Sequence, residues 1–239
     1  MIPRARLWAA ALLSALALAL WAQVPPVDRL ATRKPDLVAL KAVDSTIRVD
    51  LRYASKDNFM GRAMYPAGAE ALLNREAALA LSRANAALKP KGYVLLVWDA
   101  YRPWSVTRAF WEATPPDKRQ FVADPAKGSV HNRGCAVDVT LFDLHSGAEV
   151  EMPSGFDEMT ERAYPHYSGG TPSARRNRDL LRATMEAQGF SVYPTEWWHF
   201  DYKGWNRYPV MDMPFSPEAH PAPGRLPVAT PPPQPSPAP

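Results

Sequence analysis

Two segments of this 239-residue chain hold side chains whose types and spacing could do chemistry. The first is residues 128–141, GSVHNRGCAVDVTL. Read as a strand from Cys135 onward, it places Cys135, Val137, Val139 and Leu141 on one face, and Ala136, Asp138 and Thr140 on the other. Asp138 then stands in mid-strand among small neighbours, where a carboxylate is costly to bury unless a cation or hydrogen-bond donors meet it. His131 precedes that strand across a bend at Gly134, which can turn its imidazole toward the same face. Histidine and aspartate are ordinary zinc ligands, but two ligands do not make a site. The second segment, residues 194–200 (PTEWWHF), offers His199 as a third. Three protein ligands and one open position for water suit a catalytic rather than a structural zinc. Glu196 lies three residues before His199, and positions three apart on a regular strand face opposite sides. To share the site, Glu196 must sit in a turn after Pro194. A helix would also bring the two together, but Pro194 and the aromatic run speak against one.

The elements that must position these groups are legible as hydrophobic periodicity. Leu73, Ala77, Ala80, Ala84, Ala87 and Leu88 fall on one helical stripe that ends at Lys89-Pro90-Lys91-Gly92. Residues 93–98 are apolar throughout, as in a central strand covered on both faces. Asp99, Ala100, Tyr101, Arg102 and Pro103 leave that strand. A second helix carries Trp104, Ala109, Phe110 and Ala113 and stops before Pro115-Pro116. A third runs from about 173 to 188, with Leu181, Thr184, Met185 and Gln188 in helical spacing and Gly189 in the C-terminal position. Strands are expected at 46–53, 135–141 and 197–201. Helices and strands do not alternate in regular βαβ units, so the expected class is α+β: one domain, with a largely antiparallel central sheet flanked by helices.

Composition narrows the function classes. With 46% hydrophobic and 22% charged residues, the chain can bury a substantial core. The net charge of +4 falls to about +2 once Arg4 and Arg6 are set aside, which leaves little excess charge to hold phosphates; nucleic acid is not an expected partner. A single cysteine, Cys135, excludes an internal disulfide and reads as a small buried hydrophobe. Residues 1–22 combine two arginines, an apolar run and a terminal small residue, the pattern of a secretory signal peptide; the alternative is an uncleaved anchor. After cleavage no stable membrane insertion is expected, and the location is periplasmic or secreted. Residues 216–239 alternate proline with Ala and Ser and are expected to form a loose, extended tail, which either contacts the cell wall or contacts nothing. The domain proper spans 23–215.

Against that background, Ser129-x-His131-x-x-Gly134-x-Ala136-x-Asp138 with Glu196-x-Trp198-His199 resembles the paired signature of the zinc D-Ala-D-Ala dipeptidases, the VanX type of peptidase family M15, within the wider group of zinc D,D-peptidases. Asp50-Leu51-Arg52-Tyr53-Ala54, Asp99-Ala100-Tyr101-Arg102-Pro103 and Phe156-Asp157-Glu158-Met159 are similar to further segments of that family. The resemblance implies a zinc D,D-peptidase-like fold and a zinc ion on His131, Asp138 and His199, with Glu196 as catalytic base. It implies that Arg102 stabilises the oxyanion and that Tyr53, Ser129 and Asp157 lie near the dipeptide termini. Plainer roles stand beside these: Arg102 as a loop anchor through Asp99, Asp157 as a helix cap, Tyr53 as core packing. His145, beside Ser146-Gly147, reads as a hairpin-turn residue, and His166 and His220 flank prolines; none is assigned to the metal. Trp197 and Trp198 read as walls and packing.

The expected function is therefore an exported zinc metallopeptidase that hydrolyses D-Ala-D-Ala in cell-wall turnover or recycling, its partner a small dipeptide substrate. The alternatives are a peptidoglycan D,D-carboxypeptidase or endopeptidase, and a catalytically silent wall-binding zinc module. A structural zinc protein would need a fourth protein ligand, and none is obvious.

Overall fold

The computed structural model describes residues 24–215, so the leader at 1–22 and the tail at 216–239 lie outside the described residues. The strands are β1 (Leu37–Ala39), β2 (Arg48–Val49), β3 (Leu72–Asn74), β4 (Tyr93–Asp99), β5 (Ala136–Asp143), β6 (Ala148–Glu149), β7 (Phe190–Tyr193) and β8 (Glu196–Tyr202). The α-helices are α1 (Leu40–Val43), α2 (Arg75–Leu88), α3 (Trp104–Ala113) and α4 (Pro172–Ala187). The main sheet has the order β2-β4-β5-β8-β7, with β6 paired to the end of β5. Only the β2–β4 pairing is parallel; the other pairings in this sheet are antiparallel. A separate β1–β3 ribbon lies beside it. The class is α+β with a largely antiparallel sheet, as the order of elements implies.

The two long helices cover one face of the sheet. Ala77, Ala80, Leu81 and Ala84 of α2 and Leu181 and Met185 of α4 are buried in one cluster with Leu95, Val97, Val137, Val139 and Leu141. The alanines of the predicted stripe, Ala77, Ala80 and Ala84, are thus the ones turned to the core. Four details depart from the periodicity. Leu73 belongs to β3, because Asn74 accepts the Asp36 N–H on its side chain and pairs with Leu37 across the ribbon, which delays the helix until Arg75. Ala87 and Ala113 are exposed at the last turns of their helices. The expected strand over 46–53 shrinks to Arg48–Val49, and Tyr53 sits in the 3-10 turn Arg52–Ala54. The cause lies in the neighbouring strand: β4 bulges between Val97 and Asp99, so β2 loses its partner soon after Asp50 N–H bonds to Val97.

That bulge decides what faces the opposite side of the sheet. Leu96 pairs with Thr140 and Val97 with Val139, but the next pair is Asp99 with Asp138. The extra residue, Trp98, returns Asp99 to the same face as Asp138 and Thr140. The site is built on this second face.

Candidate metal and catalytic site

Three side chains converge there. Asp138 of β5 pairs directly with His199 of β8, so these two are cross-strand neighbours. His131 arrives from the 3-10 turn His131–Arg133, which Gly134 closes in the left-handed conformation with its N–H bonded to His131 O. A Cβ at Gly134 would come within 2.4 Å of Leu37 Cδ2, so the bend requires glycine for space as well as for its φ of 62°. Asn74 Nδ2 donates to Arg133 O, and the Arg133 guanidinium is tied to Tyr208 O and Asp28, so the turn is braced from both sides.

His131 Nε2 lies 3.1 Å from His199 Nδ1 and 3.3 Å from Asp138 Oδ1, and His199 Nδ1 lies 3.2 Å from Asp138 Oδ1. Ligands about 2.0–2.1 Å from a tetrahedral zinc are separated by roughly 3.3–3.4 Å, and the three spacings come within about 0.3 Å of that edge. Each imidazole is held in the tautomer a metal needs. His131 Nδ1–H donates to Ala100 O at 2.6 Å, which leaves the Nε2 lone pair facing inward. His199 Nε2–H donates to Asp201 Oδ1 at 2.9 Å, which frees Nδ1. Asp138 Oδ1 is buried without a hydrogen-bond partner, a position that costs free energy unless a cation takes it. Burial disfavours charge on Asp138, yet the two histidines outweigh burial and hold its carboxyl well below the usual range. Burial likewise opposes a charged His199, and Asp201 and Asp138 override it, raising its pKa well above the usual histidine value. The donor set, its spacing and its electrostatics all fit a divalent cation such as zinc.

Glu196 does not sit in a turn. It opens β8 directly after the Pro194-Thr195 turn, and its Oε2 lies 3.8 Å from His199 Nδ1. Strict alternation is broken by a register shift: Tyr193 pairs with Glu196 and Val192 with Phe200, so β8 advances four residues where β7 advances one. The extra residues bring Glu196 and His199 to one side while Trp197 and Trp198 remain buried packing. Burial pushes the Glu196 carboxyl up to about 8, against the pull of His199.

Arg102 anchors its loop, as one of its two expected roles requires, and its position leaves the other role open to it. Its Nε and Nη2 donate to Asp99 Oδ2 at 2.9 and 2.7 Å, which anchors the loop, and it also lines the cavity with Nη2 3.7 Å from Asp138 Oδ2. Asp157 caps no helix. It is the one non-glycine described residue with positive φ, at 59°, and its carboxyl accepts Tyr53 OH at 2.9 Å and Phe59 N–H at 3.1 Å. Burial pushes this carboxyl up to about 7. Tyr53 packs among Phe59, Tyr65, Phe110 and Phe156 while its hydroxyl reaches Asp157, so packing and polar contact coexist. Ser129 Oγ accepts His131 N–H at 3.2 Å and lines the same space. All eight singled-out residues border one cavity of about 450 Å³.

Sequence reasoning missed Asp201, although its place two residues after His199 on a strand puts both on one face. It also missed Tyr65, whose hydroxyl donates to the fully buried Asp99 at 2.7 Å; no spacing rule joins residues so far apart. Cys135 is fully buried with its thiol pushed up to about 12 by burial, an inert group as expected. His145 occupies the exposed turn between β5 and β6, and His166 is exposed away from the cavity lining; His220 lies outside the described residues.

The family model described as D-ala-D-ala dipeptidase matches residues 33–216. Three curated relatives carry the name D-alanyl-D-alanine dipeptidase. The one from Escherichia coli (strain K12) is 39% identical over 181 residues, 76% of this chain and 92% of the relative. That from Enterococcus faecalis (strain ATCC 700802 / V583) is 36% identical, covering 64% of this chain and 85% of the relative. That from Streptomyces coelicolor is 33% identical, covering 70% and 92%.

Proposed function

The chain belongs to the D-Ala-D-Ala dipeptidase family of zinc peptidases, and from that premise we propose that it is an exported hydrolase that cuts free D-Ala-D-Ala into two D-alanines during cell-wall turnover or recycling. The observation that carries the chemical part is the convergence of His131 Nε2, Asp138 Oδ1 and His199 Nδ1 at tetrahedral spacing, with Glu196 beside them. What supports export is the leader pattern of residues 1–22. Destruction of the dipeptide outside the cytoplasm suits turnover or recovery of wall material. The Pro-rich tail at 216–239 is available for wall contact in the same setting.

Zinc on the three ligands supplies a Lewis acid for the scissile carbonyl and brings the pKa of a water to near neutrality. The remaining roles belong to the chain. Glu196 ionises once positive charge occupies the ligand triad, takes a proton on its carboxylate from the attacking water and delivers it to the leaving amine nitrogen. Arg102 keeps its charge and, with Asp99 holding one side of its guanidinium, presents its remaining N–H groups to the developing oxyanion. Asp157 receives the substrate ammonium, and Tyr53 and Phe59 N–H orient that carboxylate. A longer peptide brings an uncharged amide to Asp157 and leaves it without a counter-charge, so a free amino end is preferred. Ser129, with its oxygen already accepting from His131 N–H, has its proton free for a substrate oxygen.

The test offers the zinc-loaded protein D-Ala-D-Ala, L-Ala-L-Ala and N-acyl-D-Ala-D-Ala, with free alanine measured with and without chelator. Chelator-sensitive cleavage of the free D,D-dipeptide alone is expected. Faster cleavage of the acylated substrate refutes the dipeptidase reading in favour of a carboxypeptidase, and cleavage of none refutes peptidase activity on these substrates.

A further inference from the structure

A dipeptide with both ends free is a zwitterion, so a site that prefers it needs a fixed anion for one end and a fixed cation for the other. The charges lining the cavity can be sorted by what already holds them. Asp138 belongs to the ligand triad, Glu196 stands 3.8 Å from His199 as the base, Asp201 is bound to His199, and Glu158 pairs with Arg162 at 3.3 Å. Asp124 accepts Ala126 N–H at 2.9 Å within its own turn. Asp157 is left with only a phenol and an amide N–H, which suits the ammonium end. Among the cations, Arg102 is tied to Asp99 and the two histidines face the metal position. Arg119 and Lys127 remain, and neither has an ion-pair partner among the described residues.

Of these two, Arg119 is held in place. It lies in the 3-10 turn Pro116–Phe121 that follows α3, with its guanidinium 4.6 Å from the centroid of the Trp111 ring. The turn is fastened on both sides. Lys118 Nζ donates to Met159 O at 3.2 Å, close to Asp157 in the chain, and the Phe121 ring packs 6.3 Å from that of Tyr164. Arg119 Nε is buried with no hydrogen-bond partner. A guanidinium stacked on Trp111, in a turn tied down through Lys118 and Phe121, bordering the cavity and without an ion-pair partner, suits a carboxylate. Lys127 is exposed at the same cavity and has no such constraint.

We propose that Arg119 anchors the C-terminal carboxylate of the dipeptide, with Lys127 adding longer-range attraction. This assignment rests on the dipeptide reading above. Asp157 then selects a free amino end and Arg119 a free carboxyl end, so the two together measure out a dipeptide. A planar fork matches a carboxylate in a way a lysine cannot, which gives the substitution series a graded outcome.

The test compares kcat/KM for D-Ala-D-Ala and its C-terminal amide in the wild type, Arg119→Gln, Arg119→Lys and Lys127→Gln, with calorimetric Kd for both ligands on a Glu196→Gln background. The wild type is expected to prefer the acid. Arg119→Gln should cut that preference about tenfold, with the loss in KM and Kd, and Arg119→Lys should recover part of it. An unchanged acid-to-amide ratio in Arg119→Gln, or equal losses on both ligands, overturns the assignment. Loss of the preference in Lys127→Gln but not in Arg119→Gln overturns it as well. Should the glutamine variant fail to fold, Arg119→Lys decides: an acid-to-amide ratio identical to wild type refutes the fork. Wild-type protein that turns over neither ligand refutes the dipeptide reading and takes this assignment with it, whereas turnover with an unaltered ratio refutes Arg119 alone.

Discussion

Replacing Asp157 by Asn should make the protein more stable at alkaline pH and less useful as an enzyme. Burial raises this carboxyl from 3.8 to about 7, so the folded state prefers it protonated. The stability that this preference contributes is complete below the unfolded pKa of about 4 and is lost as pH rises through the folded pKa of about 7. At about 1.4 kcal/mol per pKa unit, the loss between pH 4 and pH 8 is at most about 4 kcal/mol, an upper bound because part of the residue opens on the cavity. Asparagine is neutral throughout and escapes it. It is also among the residues that best tolerate the left-handed φ of 59° found here, so the backbone need not move. The amide can accept Phe59 N–H and donate to the Tyr53 oxygen, and imperfect replacement of the original pair costs about 1 kcal/mol. The expected net gain is about 2–3 kcal/mol at pH 8, shrinking to zero or a small loss near pH 4.5. Urea unfolding of both proteins at several pH values, in chelator so that metal binding does not contribute, measures the difference directly. A difference that does not change between pH 4.5 and pH 8, or a wild type that is the more stable at pH 8, refutes the argument. The same variant should lose most of its turnover of the free dipeptide, since the ammonium loses its counter-charge.

Glu196→Ala should retain zinc yet lose nearly all turnover, whereas His199→Ala should lose metal affinity; elemental analysis beside activity separates the two, and equal zinc loss in both removes Glu196 from the role of base. Asp201→Ala removes the acceptor that fixes the His199 tautomer and should weaken zinc binding about 10–100-fold, read by competition with a chromophoric chelator; unchanged affinity would show that the hydrogen bond at 2.9 Å positions nothing. Gly134→Ala combines a strained φ of 62° with a Cβ placed 2.4 Å from Leu37 Cδ2, so a loss of about 2 kcal/mol in denaturant unfolding is expected, together with weaker zinc binding through displacement of His131. A normal stability for that variant would mean that the bend can be re-formed without glycine.

Much of the site was legible because its residues obey local rules. Alternation alone puts Asp138 opposite the apolar face of its strand, and the cost of burying a lone carboxylate there asks for a cation. Gly134 marks the bend that swings His131 inward, and the unbroken apolar run at 93–98 marks the central strand. Glu196 was legible as a partner of His199 but not by the correct route, since a turn was expected where the chain uses a register shift between β7 and β8. Bulges escape a single-strand reading because they are set by mismatch between neighbours: β8 gains residues only relative to β7, and Trp98 is extra only relative to β5. The shortened strand at 48–49 has the same origin.

The amino-acid sequence by itself determined the ligand types, the face on which Asp138 stands, the helices that cover the far side of the sheet and the family to which the chain belongs. The first three follow from periodicity and residue chemistry, which act over a few positions along the backbone, and the family follows from the likeness of its motifs. Only the tertiary structure decided which nitrogen of each histidine faces the metal position, because the Ala100 carbonyl and the Asp201 carboxylate choose the tautomers. It alone set the strained Asp157, the raised carboxyls of Asp157 and Glu196 and the pairing of Arg102 with Asp99. Tautomers and ionisation respond to what surrounds a group in three dimensions, and those surroundings exist only once strands and loops far apart in the chain have been packed together.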